Sequence, residues 1–87
     1  MRIKSIYSLK EIAGDFMVIA TGASLVDLTG SFTLNETAAL LWRTLEKGAE
    51  KEDLVKALTA EYDVSEQEAA EDAEAFLTFL KQKDMLE

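Results

Sequence analysis

The chain has 87 residues, which is enough for one small domain and too few for a two-domain enzyme. It contains neither cysteine nor histidine, which excludes disulfides, thiolate nucleophiles, imidazole bases and the two commonest zinc ligands. Hydrophobic residues make up 48% of the chain and charged residues 30%, a balance typical of a folded globule. We therefore expect a single folded domain over residues 1–87.

Negative charge is concentrated in the second half of the chain. Residues 1–48 carry equal numbers of acidic and basic side chains, whereas twelve acidic and four basic side chains in residues 49–87 account for the whole net charge of −8. Such a field repels phosphates and anionic lipid, so we expect neither nucleic acid nor a membrane surface as a partner. No segment approaches the length of about 18 apolar residues that a membrane span needs, which predicts a soluble, cytoplasmic protein.

The first two strands are predicted as a hairpin. Residues 6–12 alternate in polarity and contain β-branched and aromatic side chains, and residues 13–15 supply a tight turn around Gly14. Residues 16–20 are a continuous apolar run that is too short for a helix. This run is therefore predicted to be the central strand of a sheet.

The third strand is predicted to be irregular. A turn at residues 21–24 leads into two β-prone pieces, residues 25–28 and 31–34, which are separated by Thr29 and Gly30. A glycine inside a strand often marks a bulge or a bend. We therefore predict one strand that is kinked at Gly30.

From Asn35 onward the apolar residues recur with the period of a helix. Asn35 is a favourable N-cap and Gly48 is a favourable residue after a helix end, so a first helix is predicted over residues 36–47. Trp42 lies on its apolar side and is interpreted as a core anchor. The apolar positions of that side are Ala38, Leu41, Trp42 and Leu45.

Two further helices are predicted over residues 51–61 and 66–83. Ser65 and Glu68 match the capping-box pattern at the start of the last helix. The residues expected to face the core from the two helices are Leu54, Ala57, Leu58, Ala69, Ala73, Phe76, Leu77 and Leu80.

Phe79 lies on the shoulder of the apolar stripe of the last helix, beside Asp72, Ala75 and Lys83. A small core leaves such a position partly exposed. After this helix, Met85 and Leu86 are expected to pack against the sheet.

The predicted order of elements favours an α+β fold. Helices that follow an antiparallel sheet must cover one of its faces to form a core. We therefore predict a winged helix-turn-helix-like arrangement, with a three-stranded antiparallel sheet followed by three helices.

The sequence carries no readable catalytic motif. Its glycines match neither a dinucleotide fingerprint nor a phosphate-binding loop. The acidic side chains of residues 66–74 could in principle act as paired carboxylates, but they lie on the polar side of an amphipathic helix and are interpreted as a solvated face. We therefore expect no enzyme activity, no cofactor and no metal.

The last helix is also unsuited to read DNA, although winged helices often do so. Base recognition needs Arg, Lys, Asn or Gln in the groove and basic contacts to phosphate. Residues 66–84 hold six acidic side chains against only Lys81 and Lys83. The acidity instead favours a basic protein partner.

The segment LNETA at residues 34–38, followed by Trp42, resembles the PqqD family, the small proteins of pyrroloquinoline-quinone (PQQ) biosynthesis. The similarity extends over almost the whole chain, including Val26, Asp27 and Leu28. Later matching positions are Lys47, Gly48, Asp53, Leu54, Val55, Leu58, Glu61, Tyr62, Asp63, Val64, Asp72, Phe76, Leu77, Leu80, Met85 and Leu86.

The resemblance implies a RiPP recognition element, a non-catalytic winged-helix domain that captures the leader segment of a ribosomally made precursor peptide. In the family, the leader adds as a strand to the third strand and packs beside the third helix. The implied partners are the precursor peptide and a modifying enzyme such as a radical SAM protein. This role fits a protein of pyrroloquinoline-quinone synthesis. It equally fits a protein of another peptide-modifying, peptidase or transport system.

The peptide-binding residues predicted in this way lie on the third strand and on one side of the third helix. An exposed edge over residues 25–33 offers backbone groups for strand addition, while the helix supplies a side-chain wall. The predicted residues are Leu25, Val26, Asp27, Leu28, Phe32, Asp72, Ala75, Phe76, Phe79 and Lys83.

Plainer interpretations exist for several of these residues. Phe79 is also explained as a peripheral core residue and Asp72 as an ordinary solvated carboxylate, while Asn35 and Thr37 are interpreted as structural. The exposed edge is compatible with a monomer or with an edge-mediated dimer. The alternative function is that of an acidic winged-helix regulatory or protein-interaction domain.

Titration with a random DNA duplex at low salt distinguishes the two functions. We expect no binding, because the acidic side chains of the last helix repel phosphate. Salt-sensitive binding at micromolar concentrations would favour the regulatory domain instead.

Overall fold

A computed structural model of the chain describes residues 1–20 and 32–87. Within these ranges, three strands precede three helices, which confirms the predicted α+β class and element order. The strands pair antiparallel in the order β1-β2-β3. The elements are β1 (Tyr7–Ile12), β2 (Asp15–Ala20), β3 (Phe32–Leu34), α1 (Glu36–Glu46), α2 (Lys51–Glu61) and α3 (Glu66–Gln82).

The predicted hairpin forms, but its turn has two residues in place of the predicted three, because Asp15 already belongs to β2. Ala13 and Gly14 both have positive φ, at 53° and 87°, the backbone that matches the twist of a tight hairpin. The register places Leu9 opposite Val18 and Val18 opposite Phe32. These three side chains therefore lie on one face of the sheet, where Val18 is buried.

The third strand is described over only part of its predicted extent. In the described residues β3 begins at Phe32 and pairs with β2 from Val18 back to Phe16. The predicted turn at residues 21–24, the strand piece at residues 25–28 and the kink at Gly30 lie outside the described residues.

The predicted helix caps form as expected. The Asn35 side chain accepts a hydrogen bond from the Ala38 N–H at 2.8 Å, and Ser65 Oγ accepts one from the Glu68 N–H at 3.1 Å. Gly48 has a φ of +83°, and its N–H donates to the Leu45 carbonyl, so a left-handed residue follows α1. α1 and α3 each end one residue before the predicted bound.

The core lies between the sheet and the three helices and is centred on Trp42, which is fully buried. Ala38 packs against the core as predicted but is only half-buried, whereas Ala39 is buried and was not predicted. Ala57, which was predicted to face the core, is only half-buried. The buried hydrophobic residues of the described chain are Ile3, Val18, Ala39, Leu41, Trp42, Leu45, Ala49, Leu54, Leu58, Ala69, Ala73, Phe76, Leu77, Leu80 and Met85.

The two ends of the chain pair with each other. The Lys4 N–H donates to the Met85 carbonyl at 2.9 Å, and Ile3 forms an antiparallel bridge with Leu86. Met85 and Leu86 therefore pack on the N-terminal segment as well as near the sheet, an arrangement that the sequence did not predict. Among the described helices, none is long and apolar enough to cross a membrane.

Replacing Trp42 with alanine should unfold most of the protein. The buried ring contributes about 3–5 kcal/mol, comparable with the whole stability expected of a small domain, on the order of 5 kcal/mol. The measurement is a thermal melt followed by far-UV circular dichroism, since the variant lacks the only tryptophan. A cooperative melt close to that of the wild type would show that the ring does not support the core.

Trp42→Phe is the matched control and should keep a cooperative melt. Phenylalanine still fills most of the site, and the substitution removes an indole N–H that has no hydrogen-bond acceptor among the described residues. A buried donor without an acceptor costs about 1–3 kcal/mol, so its removal offsets part of the lost packing.

Candidate functional site

One side of α3 carries all the binding residues predicted on that helix. Asp72 is three and four residues before Ala75 and Phe76, which are in turn four and three residues before Phe79, and Lys83 follows four residues later. These spacings place the five residues on neighbouring turns of the same face. Phe76 is buried, Phe79 is half-buried and the other three are exposed. The face therefore combines an apolar base with accessible side chains at both ends.

The structure brings this face against β3. The rings of Phe32 and Phe79 meet edge to face, with centroids 5.3 Å apart and planes at 85°. This geometry is a favourable arrangement for two aromatic rings. Two residues predicted from different elements are thus direct neighbours, and their rings join the strand to the helix.

The Lys83 side chain folds back over both of these rings. Its Nζ atom is 5.3 Å from the Phe79 centroid and 5.8 Å from the Phe32 centroid, within the range of a cation–π interaction. Among the described residues, Lys83 forms no ion pair. Its ammonium group is held near β3 and remains exposed.

A cavity of about 360 Å³ lies at the other end of the face. Asp72, Ala75 and Phe76 form one wall, and Asn35 and Thr37 contribute from the start of α1. Sequence reasoning interpreted Asn35 and Thr37 as purely structural. The signal that could have identified them is the position of the Asn35 cap, directly after β3, because it places the first turn of α1 at the end of the edge strand.

A second cavity, of about 320 Å³, lies at the Lys83 end. Phe32 and Lys83 line it together with Tyr7 and Met85. Neither Tyr7 nor Met85 was predicted at the site, since only the bridge between the chain ends brings the C-terminal residues beside β1. We refer to Phe32, Asn35, Asp72, Ala75, Phe76, Phe79 and Lys83 as the β3–α3 surface.

β3 is the edge strand of the described sheet. Its residues pair with β2 on one side, and no other described strand lies on the opposite side. An edge of this kind presents backbone N–H and C=O groups to an incoming strand. Leu25, Val26, Asp27 and Leu28 were predicted to extend this edge, lie outside the described residues and stay a prediction.

Two charged side chains, Asp72 and Lys83, belong to the β3–α3 surface. Within the described residues, no cluster of carboxylates suits a metal ion. A hydrogen bond from Lys51 lowers the pKa of the Glu74 carboxyl, but this ion pair, at 2.9 Å, joins α2 to α3 on the other side of the helix. The groups that the surface offers to a ligand are backbone groups of β3, aromatic rings and two opposite charges.

Two solved structures resemble the whole chain. One is described as TbiB1 in complex with the TbiA(beta) leader peptide, with a TM-score of 0.77 and 26% identity over 100% of this chain and 95% of that one. The other is described as lasso peptide synthetase B1 complexed with the leader peptide, with a TM-score of 0.74 and 27% identity over 97% of this chain and 93% of that one. Curated protein sequences give no match.

The family model for coenzyme PQQ synthesis protein D (PqqD) matches residues 22–86. This match covers most of the chain, including β3, all three helices and the whole helical side of the β3–α3 surface. It confirms the resemblance that begins at the LNETA segment. The chain therefore belongs to the PqqD family.

Proposed function

We propose that the chain is a non-catalytic module that binds the leader segment of a ribosomally made precursor peptide and presents it to a modifying enzyme. The observation that carries this proposal is the similarity to two proteins solved with leader peptides. Their sequences are 26% and 27% identical to this chain over nearly the full length of both compared chains. In both cases the similarity extends over the whole fold and is not confined to a short segment. The position of the edge strand beside α3 supplies a way to bind such a peptide.

The backbone of the leader pairs with the free edge of β3. Strand addition of this kind takes its affinity from main-chain hydrogen bonds, which every peptide can form. Phe32–Leu34 alone offers a short edge, and Leu25, Val26, Asp27 and Leu28 are proposed to lengthen it. The edge therefore supplies affinity with little selectivity.

Selectivity comes from the side chains of the β3–α3 surface. Phe79 is half-buried against Phe32 and offers the rest of its ring to the side chains of a bound leader. The small side chain of Ala75 leaves space for a leader side chain beside the cavity that Asp72 and Asn35 line. Alternate side chains of the added strand point toward this wall, because successive residues of a strand face opposite sides.

The module acts without chemistry of its own. The sequence offers no thiol or imidazole nucleophile, and the β3–α3 surface carries two isolated charges and no pair of groups that could exchange a proton. A radical SAM protein or a similar enzyme is proposed to modify the bound precursor, in the cytoplasm. Turnover of a peptide by the purified protein alone, with activity following it through several columns, would contradict this role.

Phe79→Ala should weaken leader binding by about 1–3 kcal/mol, the range for losing an aromatic contact at an interface. The fold should change less than after truncation of a central core residue, since Phe79 is only half-buried. The measurement is calorimetric titration with the leader of the precursor encoded beside the gene. Tyr62→Ala is the matched control, because Tyr62 is a half-buried aromatic residue at the end of α2 that lines neither cavity of the β3–α3 surface.

Amide chemical-shift mapping with the same leader should locate the binding surface. We expect shifts over residues 25–33 and along α3 from Asp72 to Lys83. Shifts concentrated on α2, or none with any precursor encoded nearby, would overturn the proposal.

A further inference from the structure

Two opposite charges mark the two ends of the β3–α3 surface. Asp72 lines the cavity beside Asn35, whereas Lys83 lies over the rings of Phe32 and Phe79. Asp72 and Lys83 are separated by eleven positions, which leaves them only about 20° apart around the helix axis. Neither forms an ion pair with another residue in the described ranges 1–20 and 32–87. Both charges are therefore available to a bound peptide.

We propose that this pair of charges selects leaders with a set order of side chains: a basic residue, then an apolar residue, then an acidic residue, at alternate positions. The inference rests on the proposed function and specifies which leaders the same surface accepts. In one-letter form the selected segment is K/R-x-Φ-x-D/E, where Φ is apolar and x is any residue.

The spacing follows from the geometry of α3. Seven helical residues from Asp72 to Phe79 rise about 10 Å, and eleven residues from Asp72 to Lys83 rise about 16 Å. Because Lys83 Nζ lies 5.3 Å from the Phe79 ring, the ammonium group is nearer to Phe79 than its backbone position implies. The ammonium group thus lies between about 10 Å and about 16 Å from Asp72 along the helix, a range that includes the roughly 13 Å that four residues of an extended strand span.

Four residues is also a spacing that keeps both charges of the peptide on one side. Successive side chains of a strand alternate, so residues i, i+2 and i+4 all face α3. The middle one of these meets the stretch of α3 between the two charges, which consists of Ala75, Phe76 and Phe79. This stretch carries no charge, so the middle residue of the peptide is apolar.

The order of the charges follows from the direction of β3. Phe32, at its start, lies beside Lys83, whereas Asn35, just after its end, lies beside Asp72. The described strand pairs are all antiparallel, and antiparallel pairing is slightly more stable than parallel pairing. A leader that adds antiparallel to β3 starts near Asp72 and ends near Lys83. Its basic residue therefore precedes its acidic residue.

The test uses the leader of the precursor encoded beside the gene. Double-mutant cycles with Phe79→Ala first identify the leader residue that packs on the ring. Two versions of this leader are then made, one with Lys two positions before that residue and Glu two positions after it, and one with the charges exchanged. The two versions have the same composition and the same apolar residue.

The base-first version should bind about tenfold more tightly at low salt, as expected when two exposed attractive pairs replace two repulsive ones. The difference should shrink to less than about twofold in 1 M salt, where charges are screened within about 3 Å. The double variant Asp72→Lys/Lys83→Glu should prefer the acid-first version. The control Glu74→Lys/Lys81→Glu exchanges one acidic and one basic residue on the opposite side of α3 and should keep the wild-type preference. Because it also breaks the Lys51–Glu74 ion pair, a cooperative thermal melt first shows that this variant is folded.

The two proposals fail in different ways. Equal binding of both versions, or a preference for the acid-first version, would overturn the charge order while the leader-binding function stands. An exchange of preference in the Glu74/Lys81 control would also overturn it, because the effect would then come from the general field of the helix. Absence of binding by either version and by the unmodified leader would overturn the proposed function together with the inference.

Discussion

The contact between Phe32 and Phe79 joins β3 to α3, and the β3–α3 surface depends on it. The described part of β3 is short and pairs with a single described strand, so its position depends on what packs against its side chains. The edge-to-face contact at 5.3 Å holds β3 beside the row of side chains from Asp72 to Lys83. Backbone pairing and side-chain selection can then act on the same bound strand.

A protein of this size has a small free energy of unfolding. In α3, the residues that stabilise the core and the residues proposed to bind the leader therefore lie on separate faces. Ala69, Ala73, Leu77 and Leu80 are buried and hold the helix on the core, which leaves the neighbouring face free for binding. Phe79 lies on the border between these two faces. It is half-buried in the free protein, so a ligand can cover the rest of the ring without any change in the core.

The sequence predicted most of the fold because its local signals agree with one another. Asn35, Gly48 and Ser65 each occupy a cap position with the expected geometry, and helical periodicity identified Trp42 and the buried stripe of α3. Ala39 is buried and Ala38 only half-buried, a difference that a periodicity analysis does not resolve when two adjacent residues are both alanine.

The site was predicted less completely, because its members meet through tertiary packing. The residues on α3 share a helical face and were found from their spacing alone. Tyr7, Met85, Asn35 and Thr37 line its two cavities only because β1, the C-terminal residues and the start of α1 converge on β3. No local pattern encodes the bridge between Ile3 and Leu86 that brings Met85 there.

Net charge and local charge have different consequences in this molecule. The excess of acid in residues 49–87 creates a field that attracts basic peptides from a distance, but screening limits its reach to about 8 Å at physiological salt. Such a field cannot distinguish two leaders of equal composition. A local pair such as Asp72 and Lys83 can, since each charge acts on one position of a strand whose backbone is already held by β3. Lys83 has the more specific effect of the two. Its exposed ammonium group is held over Phe32 and Phe79 and attracts an acidic side chain of the leader, which the overall negative field of the protein repels.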